Sequence, residues 1–328
     1  MRILYAIQGT GNGHISRARE IVPLLQTYGE LDLLISGTQA DMSLIENVKY
    51  ELHGFSFIFG KKGGVNHYET WCSMNLPRFV RDMNRLPLED YNLIINDFEP
   101  VTAWACKRRK IESVGLSHQA SFQSPQVPRP KSIDWAQLVL KYYAPATRYV
   151  GFHFDKYDHF INTPVIRSEI RKLKVSDDGH YTVYLPAIDD KFLLPILHQL
   201  PNIHWQVFSK HAICNYTSAN VEVNQIDNEK YNQSLASCHG LLTGGGFEGP
   251  AEALFLGKKL LVVPMKYQYE QQCNAFALKK FGVPVIWGSN KNWLPVLKEW
   301  VHSGAVLHFD YPDETAQVID RLVKQFSR

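Results

Sequence analysis

Short apolar runs alternate with helically spaced apolar positions in the first half of the chain. Arg2 to Ile7 is a brief apolar run, the apolar residues from Ile15 to Leu25 have helical spacing, and Leu31 to Ile35 is apolar again. This order of strand, helix and strand predicts an opening βαβ unit. Further short apolar runs lie at 93–96, 113–116 and 148–152. The first half is therefore predicted to form a doubly wound, parallel sheet.

The alternation pauses near Ile161 to Arg167 and then restarts. A charged stretch that contains glycine, from Ser168 to Gly179, separates the two parts and is interpreted as a linker. Beyond it the pattern predicts strands at 182–185, 204–208, 240–242 and 260–263, and helices at 192–200 and 312–326. We predict a first domain over 1–165, a second over 166–310, and a C-terminal helix at 311–328 that packs back on the first domain.

The length and composition of the chain are those of a globular protein with two domains. The chain has 328 residues, of which 45% are hydrophobic and 20% are charged, as in ordinary folded proteins. The formal net charge of +3 is too small to indicate a nucleic-acid or membrane surface by itself. The fold class predicted from the pattern is thus α/β, with two doubly wound Rossmann-like domains that face a cleft.

The cysteines and the N-terminus favour a reducing compartment. The five cysteines lie at 72, 106, 214, 238 and 273, without C-x-x-C spacing. An odd number without that spacing suggests neither a disulfide framework nor a zinc knuckle. The chain begins Met1-Arg2-Ile3-Leu4-Tyr5-Ala6-Ile7 and runs straight into a glycine turn, which leaves no room for a signal-peptide cleavage region. We expect a cytoplasmic protein.

A glycine turn follows the first strand and begins the first helix. It reads Gln8-Gly9-Thr10-Gly11-Asn12-Gly13-His14, and Gly11 and Gly13 are candidate ligand-binding positions because the free N–H groups of a helix start attract anions. A dinucleotide site needs G-x-G-x-x-G and an acidic residue after the second strand, and this strand ends Ser36-Gly37-Thr38. A P-loop needs Gly-Lys-Ser/Thr, which the chain lacks.

His14 stands directly after this turn, and we expect it in the cleft as a general base. Asp97 ends another strand of the first domain, where its carboxylate would fix the tautomer of the imidazole and stabilise its protonated form. Two plainer interpretations stay open. His14 would be a capping or buried structural histidine, and Asp97 would be the N-cap of a helix that starts at Pro100.

The second half carries a complementary group of glycine, acid and amide side chains. Thr243 to Gly246 follows a predicted strand, and its glycines would let a phosphate approach the backbone before a helix begins. Glu252 lies four residues after Glu248 on that helix, where a carboxylate would accept two hydrogen bonds from a ribose diol. The alternative is that both acids are solvated and serve the helix dipole. Further on, Gln271 and Gln272 offer the neutral donors and acceptors that sugar hydroxyls require.

These residues resemble those of the GT-B glycosyltransferases, especially the N-acetylglucosaminyltransferases that build the lipid-linked peptidoglycan precursor. The likeness is strongest from Ile226 to Gly282, where Gly244 to Glu252, Val263-Pro264 and Gln271 to Ala275 stand in family order. It recurs at Gly9 to His14 and at Asn162-Thr163-Pro164-Val165. The resemblance implies a GT-B fold and sugar transfer from a nucleotide-sugar donor, a UDP-sugar, to a hydroxyl acceptor.

The resemblance also implies a role for each matching residue. Ile226 would contact a uracil-like base, Gly245 and Gly246 the diphosphate, Glu252 the ribose, Gln271 and Gln272 the donor sugar, and His14 with Asp97 the reacting centre. No cofactor and no metal are expected, because amide groups and helix N-termini can offset the diphosphate charge. Retaining members carry two glutamates eight positions apart, and Gly244 occupies the first of these positions here. An inverting mechanism is therefore favoured.

The acceptor, the partner surface and the enzyme class leave alternatives open. His118 is a candidate for acceptor contact or for a second acid/base group, although a structural role is the simpler interpretation. The basic cluster Lys107 to Lys110 would allow peripheral contact with the inner membrane face and a lipid-linked acceptor, or would be an ordinary solvated surface. No nucleic-acid partner is expected. A UDP-sugar 2-epimerase and a non-catalytic nucleotide-sugar-binding protein are the competing functions.

Overall fold

The computed structural model shows an α/β protein with two sheets. It describes residues 1–9, 12–37, 48–54, 59–60, 64–65, 75–130, 135–288, 293–303 and 305–327. We refer to strands β1 to β9 with their helices as the first lobe, and to strands β10 to β15 with theirs as the second lobe. The ranges of both are given below.

The first lobe is built on a seven-stranded sheet. Its strands are β1 (Arg2–Gln8), β2 (Glu30–Ser36), β3 (Val48–Leu52), β6 (Leu93–Asp97), β7 (Val114–Ser117), β8 (Arg148–Phe152) and β9 (Ile161–Asn162), and a separate hairpin pairs β4 (Phe59–Gly60) with β5 (Gly64–Val65). The helices are α1 (Asn12–Gln26), α2 (Leu76–Arg85), α3 (Pro100–Arg109) and α4 (Trp135–Tyr142), with 3-10 turns at Leu88–Asp90 and Gln119–Gln123.

A short helix, α5 (Ser168–Arg171), leads into the second lobe and its six-stranded sheet. The strands are β10 (Tyr181–Tyr184), β11 (Trp205–Ser209), β12 (Tyr216–Ser218), β13 (Val221–Gln225), β14 (Gly240–Gly244) and β15 (Lys259–Val263). The helices are α6 (Asp190–Leu197), α7 (Asn228–Ser237), α8 (Glu248–Phe255), α9 (Tyr269–Lys280) and α10 (Trp293–Ser303), followed by α11 (Thr315–Phe326) at the end of the chain.

Both sheets reverse their strand order at one point. The first runs β3-β2-β1-β6-β7-β8-β9 and the second β12-β13-β11-β10-β14-β15. The reversal falls between β1 and β6 in one sheet and between β10 and β14 in the other. Ligands of doubly wound proteins bind beyond the carboxyl ends of the strands at such points. The predicted α/β class and the two Rossmann-like units are confirmed.

Apolar packing continues from one lobe into the other. Helix α1 buries Ile15, Ala18 and Ile21 against the first sheet, in the same cluster that includes buried residues of α8 and β15. Phe247 of the second lobe packs on Phe154 of the first, with ring centroids 5.0 Å apart. The lobes are therefore held by an apolar contact as well as by the chain between them.

Helix α11 lies against helix α1. The hydroxyl of Tyr28 donates to Asp320 over 3.0 Å, and Arg321 donates to Asn162 over 3.1 Å. The apolar face of α11 buries Ile319 and Leu322 in the cluster shared by the lobes. The end of the chain thus contacts the first lobe, while the domain limits at 165 and 310 stay predictions.

The structure contains strands that the sequence pattern did not predict, β3, β13 and the hairpin of β4 and β5 among them, and it differs from the pattern in further places. Ile161–Asn162, predicted to lie in a pause, forms strand β9, whose two residues are too few to show any periodicity. The linker from Ser168 to Gly179 contains a helical turn, and Ser176 and Asp178 donate backbone hydrogen bonds to helix α7. Strand β12 is antiparallel to β13 at the edge of the second sheet, so this sheet is not wholly parallel.

None of the helices within the described ranges is long and apolar enough to cross a membrane.

Candidate active site

His14 and Asp97 meet at the reversal point of the first sheet. His14 lies in the first turn of α1, and Asp97 is the last residue of β6, which pairs with β1 in register Ile7 to Asp97. Nδ1 of His14 is 2.7 Å from Oδ1 of Asp97. The histidine is 9% exposed and the aspartate is fully buried. The structure therefore brings together the two residues predicted as base and partner.

The turn after β6 leaves the Asp97 carboxylate free for this contact. Phe98 has a φ of +56°, a left-handed conformation that is rare for a bulky residue and occurs mainly at functional sites. Its ring lies parallel to that of His14, with centroids 6.3 Å apart. Glu99, and not Asp97, caps helix α3 by accepting from the backbone N–H groups of Val101 and Thr102. The interpretation of Asp97 as the N-cap is wrong.

Arg17 supplies the counter-charge for the buried carboxylate. Its guanidinium donates to Asp97 Oδ1 over 2.7 Å from Nη2 and to Oδ2 over 3.1 Å from Nε. Burial alone would raise the pKa of Asp97, but Arg17 and His14 beside it lower that pKa below its usual value. Asp97 is therefore ionised at neutral pH and accepts hydrogen bonds from its neighbours, the Tyr5 hydroxyl at 3.3 Å included.

The second ring nitrogen of His14 faces Gln119. The Gln119 amide nitrogen donates to Glu270 of α9 over 3.0 Å, which fixes the orientation of the amide because a carboxylate only accepts. The same nitrogen lies 3.5 Å from Nε2 of His14. An amide N–H in this position favours an Nε2 that carries a lone pair. The neutral tautomer then has its proton on Nδ1, directed at Asp97.

The glycine loop before α8 adjoins this pair from the second lobe. A Cβ on Gly245 would lie 2.7 Å from the carbonyl oxygen of Gln271, whereas one on Gly246 would have no neighbour within 4 Å. Asn274 donates to the Gly245 carbonyl over 3.1 Å and holds the loop against α9. The backbone at Gly246 is thus open to a ligand at the N-terminus of α8, where N–H groups attract anions.

Glu252 is neither exposed nor solvated. It is 3% exposed, and its two carboxylate oxygens accept from Nε and Nη2 of Arg167 over 2.5 and 2.8 Å. Glu248, the other acid of this helix, pairs with Arg17 over 2.8 Å. The interpretation of both as solvated acids is therefore wrong. Arg167 belongs to the segment that connects the lobes, so the residue predicted to bind ribose is tied to that segment.

The remaining predicted donor-site residues lie around the same end of the second sheet. Ile226 follows β13 and is 45% exposed. Gln271 and Gln272 lie in the first turn of α9 and are half-buried, and the Gln271 side-chain oxygen accepts from the backbone N–H of Met265 over 3.0 Å. Gly13 is half-buried at the start of α1. Gly11 lies outside the described residues. The ligand roles of these residues stay predictions.

His118 links the lobes. Its Nδ1 is 2.8 Å from the carbonyl oxygen of Phe152, and its Nε2 is 2.7 Å from Oδ1 of Asn274 in the second lobe. The ring stacks on Phe247 with centroids 3.9 Å apart. Burial lowers the pKa of this histidine, and the ring is 1% exposed. These contacts favour the structural interpretation of His118 over an acid/base role.

Sequence reasoning did not single out Arg17, Gln119, Arg167 or Glu270. Arg17 had a local signal, because it lies three residues after His14 and so shares its helix face. Gln119 lies in the 3-10 turn directly after β7, where its place after a strand was the available signal. Glu270 and Arg167 are identified by their contacts with Gln119 and Glu252, which no local spacing reveals. Among the described residues, no three His, Cys, Asp or Glu side chains are grouped as ligands for a metal ion.

Known structures share this fold at low sequence identity. MurG from Acinetobacter baumannii aligns with a TM-score of 0.54 at 13% identity, covering 99% of this chain and 99% of that one. Arabidopsis thaliana UGT89C1 in complex with UDP gives a TM-score of 0.58 at 13% identity, with 98% and 94% covered. The glycosyltransferase SnogD from Streptomyces nogalater gives 0.55 at 13% identity, with 100% and 96% covered.

Sequence comparison gives the family. No curated protein matches the chain. The model of glycosyl transferase family 1, however, matches residues 1–302, nearly the whole chain. The protein therefore belongs to glycosyl transferase family 1 and is a glycosyltransferase with the GT-B fold.

Proposed function

We propose that the protein is an inverting glycosyltransferase that needs no metal ion and transfers a sugar from a nucleotide-sugar donor, a UDP-sugar, to a hydroxyl group. The observation that carries this proposal is the contact between His14 Nδ1 and Asp97 Oδ1, which are 2.7 Å apart at the carboxyl edge of the first sheet. It leaves Nε2 as the basic atom of the imidazole. A base in this position is what direct displacement at an anomeric carbon requires.

The reaction exchanges one bond at the anomeric carbon for another. The acceptor hydroxyl gives its proton to Nε2 of His14 as its oxygen forms a bond to the anomeric carbon. The bond from that carbon to the diphosphate oxygen breaks, and its electron pair leaves with the nucleoside diphosphate. Asp97 stabilises the imidazolium that forms, because its ionised carboxylate accepts the Nδ1 proton in a hydrogen bond.

Fixed dipoles support the departure of the diphosphate without a metal. Helix α8 begins at Glu248, two residues after the open backbone at Gly246, and its N-terminus carries about half a unit of positive charge. Such preorganised donors stabilise charge where it develops in the transition state. We propose that the β-phosphate lies at this helix start, with Gly13 and the start of α1 on its other side.

Three solved complexes of one structurally similar protein suggest the chemistry of donor and acceptor. UGT89C1 has been crystallised with UDP, with UDP-L-rhamnose and with quercetin. By analogy we propose that Ile226 and Glu252 contact the nucleoside and that Gln271 and Gln272 contact the donor sugar. The acceptor would enter from the first lobe and present its hydroxyl to His14. It is a small molecule, a glycan or a lipid-linked sugar.

A ligand screen followed by product analysis tests the proposal. Thermal unfolding is measured with a panel of nucleotide sugars, since a ligand at a hundredfold excess over its Kd adds roughly 2.7 kcal/mol of stability. The stabilising donor is then incubated with candidate acceptors, and the product is examined by NMR. We expect nucleotide release that depends on the acceptor, with the anomeric configuration inverted.

Other outcomes would contradict the proposal in distinct ways. Retention of the anomeric configuration would exclude direct displacement. Reversible change of the donor sugar without an acceptor would indicate a 2-epimerase, and binding without any turnover would indicate a sensor. Loss of turnover with EDTA, restored by a divalent cation, would refute metal independence.

A further inference from the structure

Arg17 joins the His14–Asp97 pair to the second lobe. Its side chain is 2% exposed, two of its nitrogens donate to Asp97, and its Nη1 donates to Glu248 over 2.8 Å. Nη2 also lies 3.1 Å from Nδ1 of His14. Since a guanidinium only donates and the ionised Asp97 lies closer, the Nδ1 proton faces the aspartate and Arg17 presents positive charge beside the ring.

The charges of this cluster balance only when His14 is protonated. The charges of Asp97 and Arg17 cancel, so this pair adds no net negative charge to balance an imidazolium. Glu248 adds one negative charge, which leaves the cluster at about −1 with a neutral histidine and near zero with an imidazolium. Its side chain is 25% exposed, so the charge is partly shielded from water. Glu248 therefore favours the proton transfer that catalysis needs.

The other groups that face His14 do not replace this contribution. Burial raises the pKa of Tyr5 well above its usual value, so this neighbour of Asp97 stays neutral. Phe98 is apolar, and Gln119 is neutral. Glu270 is an acid on the Nε2 side of the ring, and its contact with His14 runs through the amide of Gln119.

Glu248 also belongs to the part of the second lobe that would hold the donor. It is the first residue of α8 and follows the open backbone at Gly246 by two positions. A Cβ on Gly13 would lie 2.5 Å from Oε2 of Glu248, so the carboxylate lies directly on the glycine turn before His14. The same acid thus contacts the helix start of the first lobe and begins the helix of the donor loop.

We infer that Arg17 and Glu248 are positioning residues for the base, and that Glu248 supplies from the second lobe the charge that lets His14 accept a proton. The base is then complete only when the lobes are docked as in this structure. This inference rests on the proposed function, because it assigns a role within the same reaction.

The test uses the full chain with Glu248→Gln, which keeps the side-chain volume and removes the charge. The matched control is Glu299→Gln, an exposed glutamate on α10. For Glu248→Gln we expect kcat to fall about tenfold or more, as loss of a nearby charge at intermediate dielectric implies. Donor Kd from calorimetry should stay within about threefold of wild type. The acidic limb of the kcat profile should move to lower pH, since protonation of the ring becomes less favourable. Glu248→Asp should recover part of kcat.

A second readout does not depend on turnover. ¹⁵N NMR of the histidine ring nitrogens follows the protonation of His14 directly, and its midpoint should move to lower pH in Glu248→Gln and stay in place in Glu299→Gln. If both the midpoint and kcat are unchanged in Glu248→Gln, the inference is overturned. The proposed function still stands in that case, provided that the wild type transfers sugar. A large loss of donor affinity with unchanged kcat would also overturn it, because Glu248 would then act as a donor ligand. Absence of transfer by the wild type would refute the proposed function instead, and the NMR titration would still decide the inference.

Discussion

The Arg167–Glu252 pair allows a stability prediction that follows from burial and geometry. Glu252 is 3% exposed, and its two carboxylate oxygens accept from Nε and Nη2 of Arg167 over 2.5 and 2.8 Å. Arg167 has further partners, because it also contacts Glu169 and donates to Asn232 over 3.1 Å. Removal of the arginine therefore leaves a buried carboxylate without a counter-charge, whereas removal of the glutamate leaves an arginine that still has partners.

The two single variants should differ in cost. Loss of one partner of a buried ion pair costs about 3–5 kcal/mol of unfolding free energy, and we expect this for Arg167→Met. For Glu252→Gln we expect about 1–3 kcal/mol, the range for an impaired buried hydrogen bond. The double variant should cost less than the sum of the two, by about 1–3 kcal/mol, because neither charge is then left alone.

The loss of unfolding free energy caused by Arg167→Met should be smaller at low pH. Burial raises the pKa of Glu252, even though Arg167 acts in the opposite direction. Without the arginine this pKa rises further, so the folded state takes up a proton before the unfolded state does. The destabilisation should therefore be largest at neutral pH and should decrease as the pH falls toward the folded-state pKa of Glu252.

Urea unfolding followed by circular dichroism measures these values, with the exposed Glu299→Gln as the control that should change stability by less than about 0.5 kcal/mol. Additive single effects would refute the reasoning, as would a cost of Arg167→Met below about 1 kcal/mol or one that grows toward acid pH.

Three further predictions concern the donor loop, the contact between the lobes and the buried aspartate. Gly245→Ala should lower the free energy of unfolding in urea by about 1–3 kcal/mol, because its Cβ would lie 2.7 Å from a backbone carbonyl oxygen. Gly246→Ala should fold normally and weaken donor binding measured by calorimetry, and equal losses of stability in the two variants would contradict this. His118→Ala should cost about 2–4 kcal/mol, since it removes the stack on Phe247 and two hydrogen bonds, and a neutral effect would refute its structural role. Because the pKa of Asp97 is lowered in the fold, its charge stabilises the folded state at neutral pH, and that stabilisation is lost in acid. The difference in unfolding free energy between wild type and Asp97→Asn should therefore stay constant from pH 7 to about 4 and decrease below about 3.9. A difference that disappears already near pH 6 would contradict the assignment.

The sequence allowed the fold to be predicted because strand and helix periods are local. Most strands that the pattern predicted are within a few residues of the observed ones, as Leu93 to Asn96 is for β6. The pattern did not predict strand β9, because two residues are too few to show a periodicity and the pairing of β9 with β8 depends on the tertiary fold. His14 and Asp97 were predictable because His14 begins the helix that follows β1 and Asp97 ends β6, and both lie at the carboxyl edge of a doubly wound sheet.

The charge partners of the site could not be predicted in the same way. Arg17 and Glu248 are 231 positions apart, and Arg167 and Glu252 are 85 apart. Their pairing depends on how the two lobes dock, which no single-sequence spacing encodes. The sequence left a solvated Glu252 open as the alternative to a ribose ligand, whereas the structure buries this carboxylate against Arg167.

The turnover of His14→Ala tests the central claim most directly. Transfer kinetics are measured at saturating donor, with donor Kd from calorimetry, and His302→Ala, an exposed histidine on α10, is the control. If His14 is the base, kcat falls about 10²- to 10⁴-fold while donor Kd changes little and the control behaves as wild type. Wild-type kcat in His14→Ala would contradict the account.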